Sequence, residues 1–182
     1  MIRIKNILLF LVFIIFISGC SVKGYKYKPD YSVLSELNDN NLKQMVVKKD
    51  KKSDVDESIP LRAKSMVSPY GGTFSKYLEI SLEEQLKLAS LYNKKSSVEI
   101  STELLINKIN TITGKTDLSA KFIVKENMKI KYEKIHTIRH KWETSFLGQI
   151  AIQNAMISYP IAIQKLINKL LKDDDFLKAT KR

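Results

Sequence analysis

The sequence predicts an α+β fold: a single, mostly antiparallel sheet of about five strands with two helices packed on one face. Three observations carry that expectation. Between Ser97 and Trp142, three runs alternate apolar and polar residues at the period of a strand. Two stretches, Phe74 to Leu91 and Thr144 to about Leu171, place apolar residues at helical spacing. Their order, with two short strand patterns before the first helix, lets both helices bury their stripes on one sheet face. The other face is then half-exposed and open to a partner or ligand.

The chain opens with a leader, residues 1–19. Arg3 and Lys5 precede an uncharged run of 11 residues, Ile7–Ile17, and then the small residues Ser18 and Gly19. A membrane-spanning helix needs about 20 apolar residues, whereas the apolar core of an export signal needs roughly 7–15. Cleavage is expected between Gly19 and Cys20. Residues 20–40 read as a tether, because Lys23, Gly24, Lys26, Lys28, Pro29 and Asp30 are poor formers of regular elements. Tyr25, Tyr27 and Tyr31 are interleaved there, suited to packing on the domain, to lying at headgroup level, or to forming a partner-binding stripe. Residues 41–182 read as a single α/β domain.

Within that domain, Leu42 to Val47 is a candidate strand, and Lys48 to Ser58 is a charged loop. Ile59 to Val67 alternates and reads as one strand, with Pro60 at its start or edge. Ser68-Pro69-Tyr70-Gly71-Gly72 is a turn, and Thr73 caps the helix that follows. Phe74, Leu78, Leu82, Leu86 and Ala89 form that helix's buried stripe, and Glu83 and Lys87 an i,i+4 pair. Val98, Ile100, Thr102, Leu104 and Ile106 alternate along the first long strand. Leu118 to Val124 and Ile130 to Trp142 complete an antiparallel meander. In the last helical stretch Pro160 is expected to kink or split the helix. Asp173-Asp174-Asp175 then opens a polar tail.

Composition narrows the function classes. The formal charge is +12, and loss of Arg3 and Lys5 with the leader leaves +10. Such a surface is drawn to anionic headgroups or acidic polymers. The lysines are scattered rather than clustered and the leader directs export, so nucleic acid is not the expected partner. Cys20 is the only cysteine, so no intramolecular disulfide forms and stability rests on packing.

The residues that could carry chemistry each have a plainer reading. His136 and His140 stand four apart without an HExxH pattern, Thr137 occupying the place of the glutamate. On a strand they share a face but lie about 13 Å apart, too far for one zinc. Asp54, Asp56 and Glu57 lack the glycine and spaced glutamate of a calcium loop. Gly71-Gly72 lacks the Lys-Ser/Thr of a phosphate loop. Glu143, near Arg139 and His140, reads as part of a surface pair. No Gly-x-Ser-x-Gly occurs. The expectation is therefore no catalytic residue, no metal ligand, no cofactor and no enzyme.

Ile17-Ser18-Gly19-Cys20 resembles the bacterial lipobox. The resemblance implies a diacylglyceryl group on the Cys20 sulfur, cleavage before Cys20, and acylation (palmitate) of its freed amine. Cys is required because a thiolate is the nucleophile that takes the lipid. Ser21, in place of an inner-membrane retention Asp, points to the outer membrane. With the turn Ser65 to Gly72 and the helix Phe74–Leu91, the order of elements resembles small outer-membrane lipoproteins. These include YajG-like proteins and the auxiliary lipoproteins of envelope ABC transport. The expected function is a lipid-anchored, non-enzymatic assembly or scaffold component of a periplasmic or outer-membrane complex. It would sit on the periplasmic face, held by Cys20, and bind an envelope protein through a sheet face or strand edge. The alternative is a lipid- or anionic-glycan-binding transport auxiliary, with its ligand in an apolar cavity between helices and sheet.

Overall fold

The computed structural model describes residues 21–49 and 57–182. The leader, the Gly19–Cys20 bond and most of the charged loop, including Asp54 and Asp56, lie outside the described residues. The elements are β1 (Ser21–Lys23), a 3₁₀ turn (Tyr31–Val33), α1 (Leu34–Asp39), β2 (Val46–Lys49), β3 (Ser58–Leu61) and β4 (Lys64–Val67). They continue with α2 (Phe74–Leu88), β5 (Val98–Asn110), β6 (Lys115–Glu126), β7 (Lys129–Lys141), α3 (Gly148–Leu171) and α4 (Asp174–Thr180).

The fold is α+β, but the strands form two mixed sheets rather than one. The larger has the order β2-β5-β6-β7 and the smaller β1-β4-β3. The β5-β6-β7 meander is antiparallel throughout, whereas β2 joins β5 in parallel and β1 joins β4 in parallel. Ile59 to Val67 is a tight hairpin rather than one strand: Leu61 pairs with Lys64 across Arg62-Ala63. Arg62 adopts φ +52°, a left-handed conformation that lets the chain reverse without a glycine.

Both long helices cover one face of the larger sheet, α2 over β2 and β5, α3 over β6 and β7. Leu78, Leu82, Leu86, Leu166 and Leu170 are fully buried against Ile100, Leu118 and Phe122. Leu82, Leu86 and Leu166 are therefore core. The Thr73 hydroxyl accepts from the Lys76 backbone N–H at 3.2 Å, capping α2. Glu83 and Lys87 pair at 2.5 Å.

Three details differ from the sequence reading. A bulge between Leu104 and Ile106 switches the inward register of β5. Asn107 thereby turns inward and Ile106 outward, although strict alternation placed Ile106 in the core. Pro160 does not split the helix: it lies inside a continuous 24-residue α3. The buried neighbours Tyr159, Ala162 and Ile163 hold both halves of α3 on the sheet and override the lost backbone hydrogen bond. The acidic run is a helix start: the Asp173 carboxylate accepts from the N–H groups of Asp175 and Phe176 and caps α4.

The largest difference lies in residues 21–40, expected as a tether. From Ser21 onward they belong to the folded body. β1 is paired in register with Ser65–Val67, and Tyr27, Val33 and Leu37 are in the core. The composition that looked unstructured is instead ordered by side chains from other elements.

Candidate functional site

That N-terminal stretch, Tyr25 to Asp30, runs as an extended strap across α2 and α3 and builds a candidate binding groove. An extended chain has unpaired backbone groups, and here polar side chains of the helices satisfy them. The Tyr77 hydroxyl donates to the Tyr25 carbonyl at 2.9 Å. The Gln85 carboxamide, fully buried, accepts from the Tyr27 hydroxyl and the Asp30 N–H, both at 2.7 Å, and donates to the Asp30 carbonyl at 2.9 Å. From α3, Gln153 donates to the Tyr25 hydroxyl, Gln164 to the Lys28 carbonyl, and Asn168 to the Asp30 carboxylate.

Beneath the strap lies an aromatic cluster. Tyr77 packs edge-on against Tyr70 and Tyr159, and Phe74 edge-on against Tyr159, with centroids 5.1–5.4 Å apart. Burial pushes the Tyr27 and Tyr77 phenols far above their usual range, reinforced by nearby carboxylate and phenol groups. Tyr70 is pushed up to about 12 by burial and by Glu84. All three are neutral hydrogen-bonding groups at pH 7, not bases. Burial alone would raise the Asp30 carboxyl, but the Ser32 N–H, the Asn168 amide and the Lys172 charge hold it below the usual range. It stays ionised and caps the 3₁₀ turn through Ser32.

Between strap and α3 a groove of about 650 Å³ opens to solvent. Strap residues 25–28 form one wall, and Ile157, Pro160, Ile161 and Gln164 the other. The walls are largely apolar, and Lys26 and Lys28 supply positive charge. Its chemistry is thus an apolar channel with cations at one wall. It lies outside the helix–sheet layer, not between helices and sheet.

The two surfaces favoured by sequence, the open sheet face and a strand edge, are rich in charge. The open face of the larger sheet carries a charge ladder: Lys121 bridges Glu103 at 3.1 Å and Glu133 at 3.8 Å, Arg139 pairs with Asp117 at 2.6 Å, and Lys48 pairs with Glu99. Strand β7 borders that sheet with Lys129, Lys131, Lys134, Arg139 and Lys141 along it. The Lys169 ammonium also donates to the Thr137 carbonyl. Such charges discourage strand addition.

His136 and His140 share the inward face of β7 but take separate partners. His136 is buried, 2.6 Å from the Tyr132 hydroxyl, and His140 lies 2.9 Å from Lys165. Arg139 pairs with Asp117, not with Glu143. Gly71 and Gly72 both have positive φ and make the turn into α2. Glu57 is exposed. Among the described residues no three His, Cys, Asp or Glu side chains converge as metal ligands. Among them, too, no helix is long and apolar enough to cross a membrane. The strap and its groove escaped sequence reading. Their one visible signal was the interleaved tyrosines.

No family model matches the sequence, and no curated protein matches it. Solved structures do resemble it. A Xanthomonas campestris protein of family DUF330 superposes with a TM-score of 0.56 at 9% identity, over 87% of this chain and 96% of its own. A minor lipoprotein from Acinetobacter baumannii superposes with a TM-score of 0.46 at 14% identity, over 78% of this chain and 98% of its own. The Xanthomonas likeness shows that the fold is one already seen in another protein.

Proposed function

We propose that this chain is a lipid-anchored envelope lipoprotein, held by Cys20 on the periplasmic face of the outer membrane. It acts without catalysis, as an assembly or scaffold component of an envelope complex. The leader and the Ile17-Ser18-Gly19-Cys20 sequence support the anchor. The groove between strap and α3 supports the docking role: it is apolar, open, and outside a filled core. An extended segment of an envelope protein would lay apolar side chains on Ile157 and Ile161 and an acidic group near Lys26 or Lys28.

The test is photo-crosslinking from Ile157 in native envelopes, with Glu133 on the open sheet face as control position and Cys20→Ala as anchor control. A discrete protein captured from Ile157, absent from Glu133 and lost with Cys20→Ala, supports the scaffold. The groove's volume and its two lysines also fit the alternative reading, a lipid or anionic glycan carrier. Capture of lipid or glycan without a stoichiometric protein would establish that reading instead. If Cys20→Ala fractionates with membranes unchanged, the anchor is wrong.

A further inference from the structure

Three connections meet at one end of the molecule, around Arg62. Its guanidinium donates to the Thr111 carbonyl in the β5–β6 turn at 3.1 Å, and to the Ser145 and Phe146 carbonyls before α3 at 2.9 and 3.0 Å. Thr144 also donates to the Thr111 carbonyl, at 2.6 Å. Arg62 thus clamps two loops together from the β3–β4 turn.

With their backbones held, these loops point large apolar side chains into solvent. Phe146 is 98% exposed, Ile112 77% and Leu147 60%. Exposed side chains of this size, clustered on fixed loops, are unusual for a surface in contact only with water. Cations stand around them. Lys115 and Lys141 pair in register at the adjoining ends of β6 and β7, and Lys64 follows the Arg62 turn. Glu143 and Asp117 are anions at the same end, Asp117 paired with Arg139.

The chain enters the fold at the same end. Strand β1 runs parallel to β4 with Ser21 opposite Ser65, so its first residue lies beside the start of β4, just past the Arg62-Ala63 turn. Cys20 directly precedes Ser21, and consecutive Cα atoms lie only about 3.8 Å apart.

We infer that this end of the molecule rests in the lipid–water interface, with Phe146, Leu147 and Ile112 inserted among the headgroups of an anionic membrane. The inference rests on the lipid-anchored reading. The acyl chains supply the affinity, while the apolar tip and its lysines fix the orientation of the body. The groove then lies away from the tip along α3, because Ile157 and Ile161 are about three and four turns beyond Phe146.

The experiment uses the full-length protein, expressed and processed in its envelope and reconstituted into vesicles of phosphatidylcholine and phosphatidylglycerol. Acylated Cys20 has no free thiol, so Phe146→Cys introduces the only one for an environment-sensitive fluorophore. Met128→Cys is the reference: Met128 is 94% exposed in the β6–β7 turn. β6 separates the two ends by about 35 Å at ~3.3 Å per residue. The expected result is a blue shift, and quenching by membrane-embedded spin labels, at position 146 and neither at 128. Equal, water-like emission at both positions, with acylated Cys20 shown by mass spectrometry, would overturn the tip and leave the anchor standing. An unacylated Cys20 that reacts with maleimide would overturn the anchor, and the tip with it.

Discussion

Replacing Gln85 with leucine removes the buried amide that holds the strap. The Tyr27 hydroxyl, buried and formerly bonded at 2.7 Å, is left without that acceptor. An orphaned buried donor costs about 1–3 kcal/mol. The Asp30 N–H and carbonyl lose partners too, but they are only part-buried and regain water, so each costs about 0.5–1 kcal/mol. The total is roughly 3 kcal/mol. That figure has a ceiling, because the strap can peel away once holding it down costs more than releasing it. Urea unfolding followed by the fluorescence of Trp142, the single tryptophan, measures the loss. Amide exchange at Tyr27 and Asp30 shows whether it is global or confined to the strap. Adding Tyr27→Phe should recover about 1–2 kcal/mol, since two apolar groups no longer leave a donor stranded. A loss below about 0.5 kcal/mol, well under a typical orphaned-donor cost, with unchanged protection at both amides would refute the idea that Gln85 holds the strap.

Other substitutions test other parts of the fold. Gly114 has φ +62°, and a Cβ there would lie 2.2 Å from the Trp142 carbonyl oxygen. Gly114→Ala should cost at least about 2 kcal/mol in thermal unfolding. Arg62→Lys should lose about 1–2 kcal/mol, nearly as much as Arg62→Ala, because an ammonium cannot reach three carbonyls with one planar fork; urea titration checks it. Burial lowers the pKa of His136, with Asp173 opposing and Lys169 and Lys134 assisting. The unfolded chain thus binds a proton that the folded chain refuses, so stability is full above the ordinary histidine value of about 6.5 and falls as pH drops toward the depressed folded value. His136→Gln should flatten that part of the profile in urea midpoints measured across pH 5 to 8. Acidification below the carboxylate range should next loosen α4, because burial would raise the Asp173 carboxyl but Lys134 and the α4 N–H groups hold it down. Amide exchange in α4 against pH reads that step.

The meander and the two long helices were legible because each buries one face, and burial writes its period into the sequence. β5, β6 and β7 begin and end within a few residues of their alternating runs, except where the bulge at Leu104/Ile106 breaks the period. Parallel partnerships left no such trace. Nothing local in Val46–Lys49 says that β5 is its neighbour, or in Ser21–Lys23 that β4 is. The β3–β4 hairpin was hidden because its turn uses Arg62 at positive φ instead of Asn or Gly. The strap was hidden for a deeper reason: its order comes from Gln85, Gln153, Gln164 and Asn168, each far away in sequence and unremarkable alone. Gly19 and Cys20 lie outside the described residues.

A folded β1 at Ser21 also sets how far the protein can reach. A flexible leash of 20 residues would let a tethered body wander about 25 Å from its attachment point. Here the slack is gone, since pairing begins at the residue after Cys20. On the lipid-anchored reading the molecule patrols a thin layer, about one body-diameter deep, and searches in two dimensions. A binding partner has to extend down to the membrane to be caught. A variant with a glycine–serine insert after Cys20 would trade that shallow, oriented search for a deeper and less oriented one.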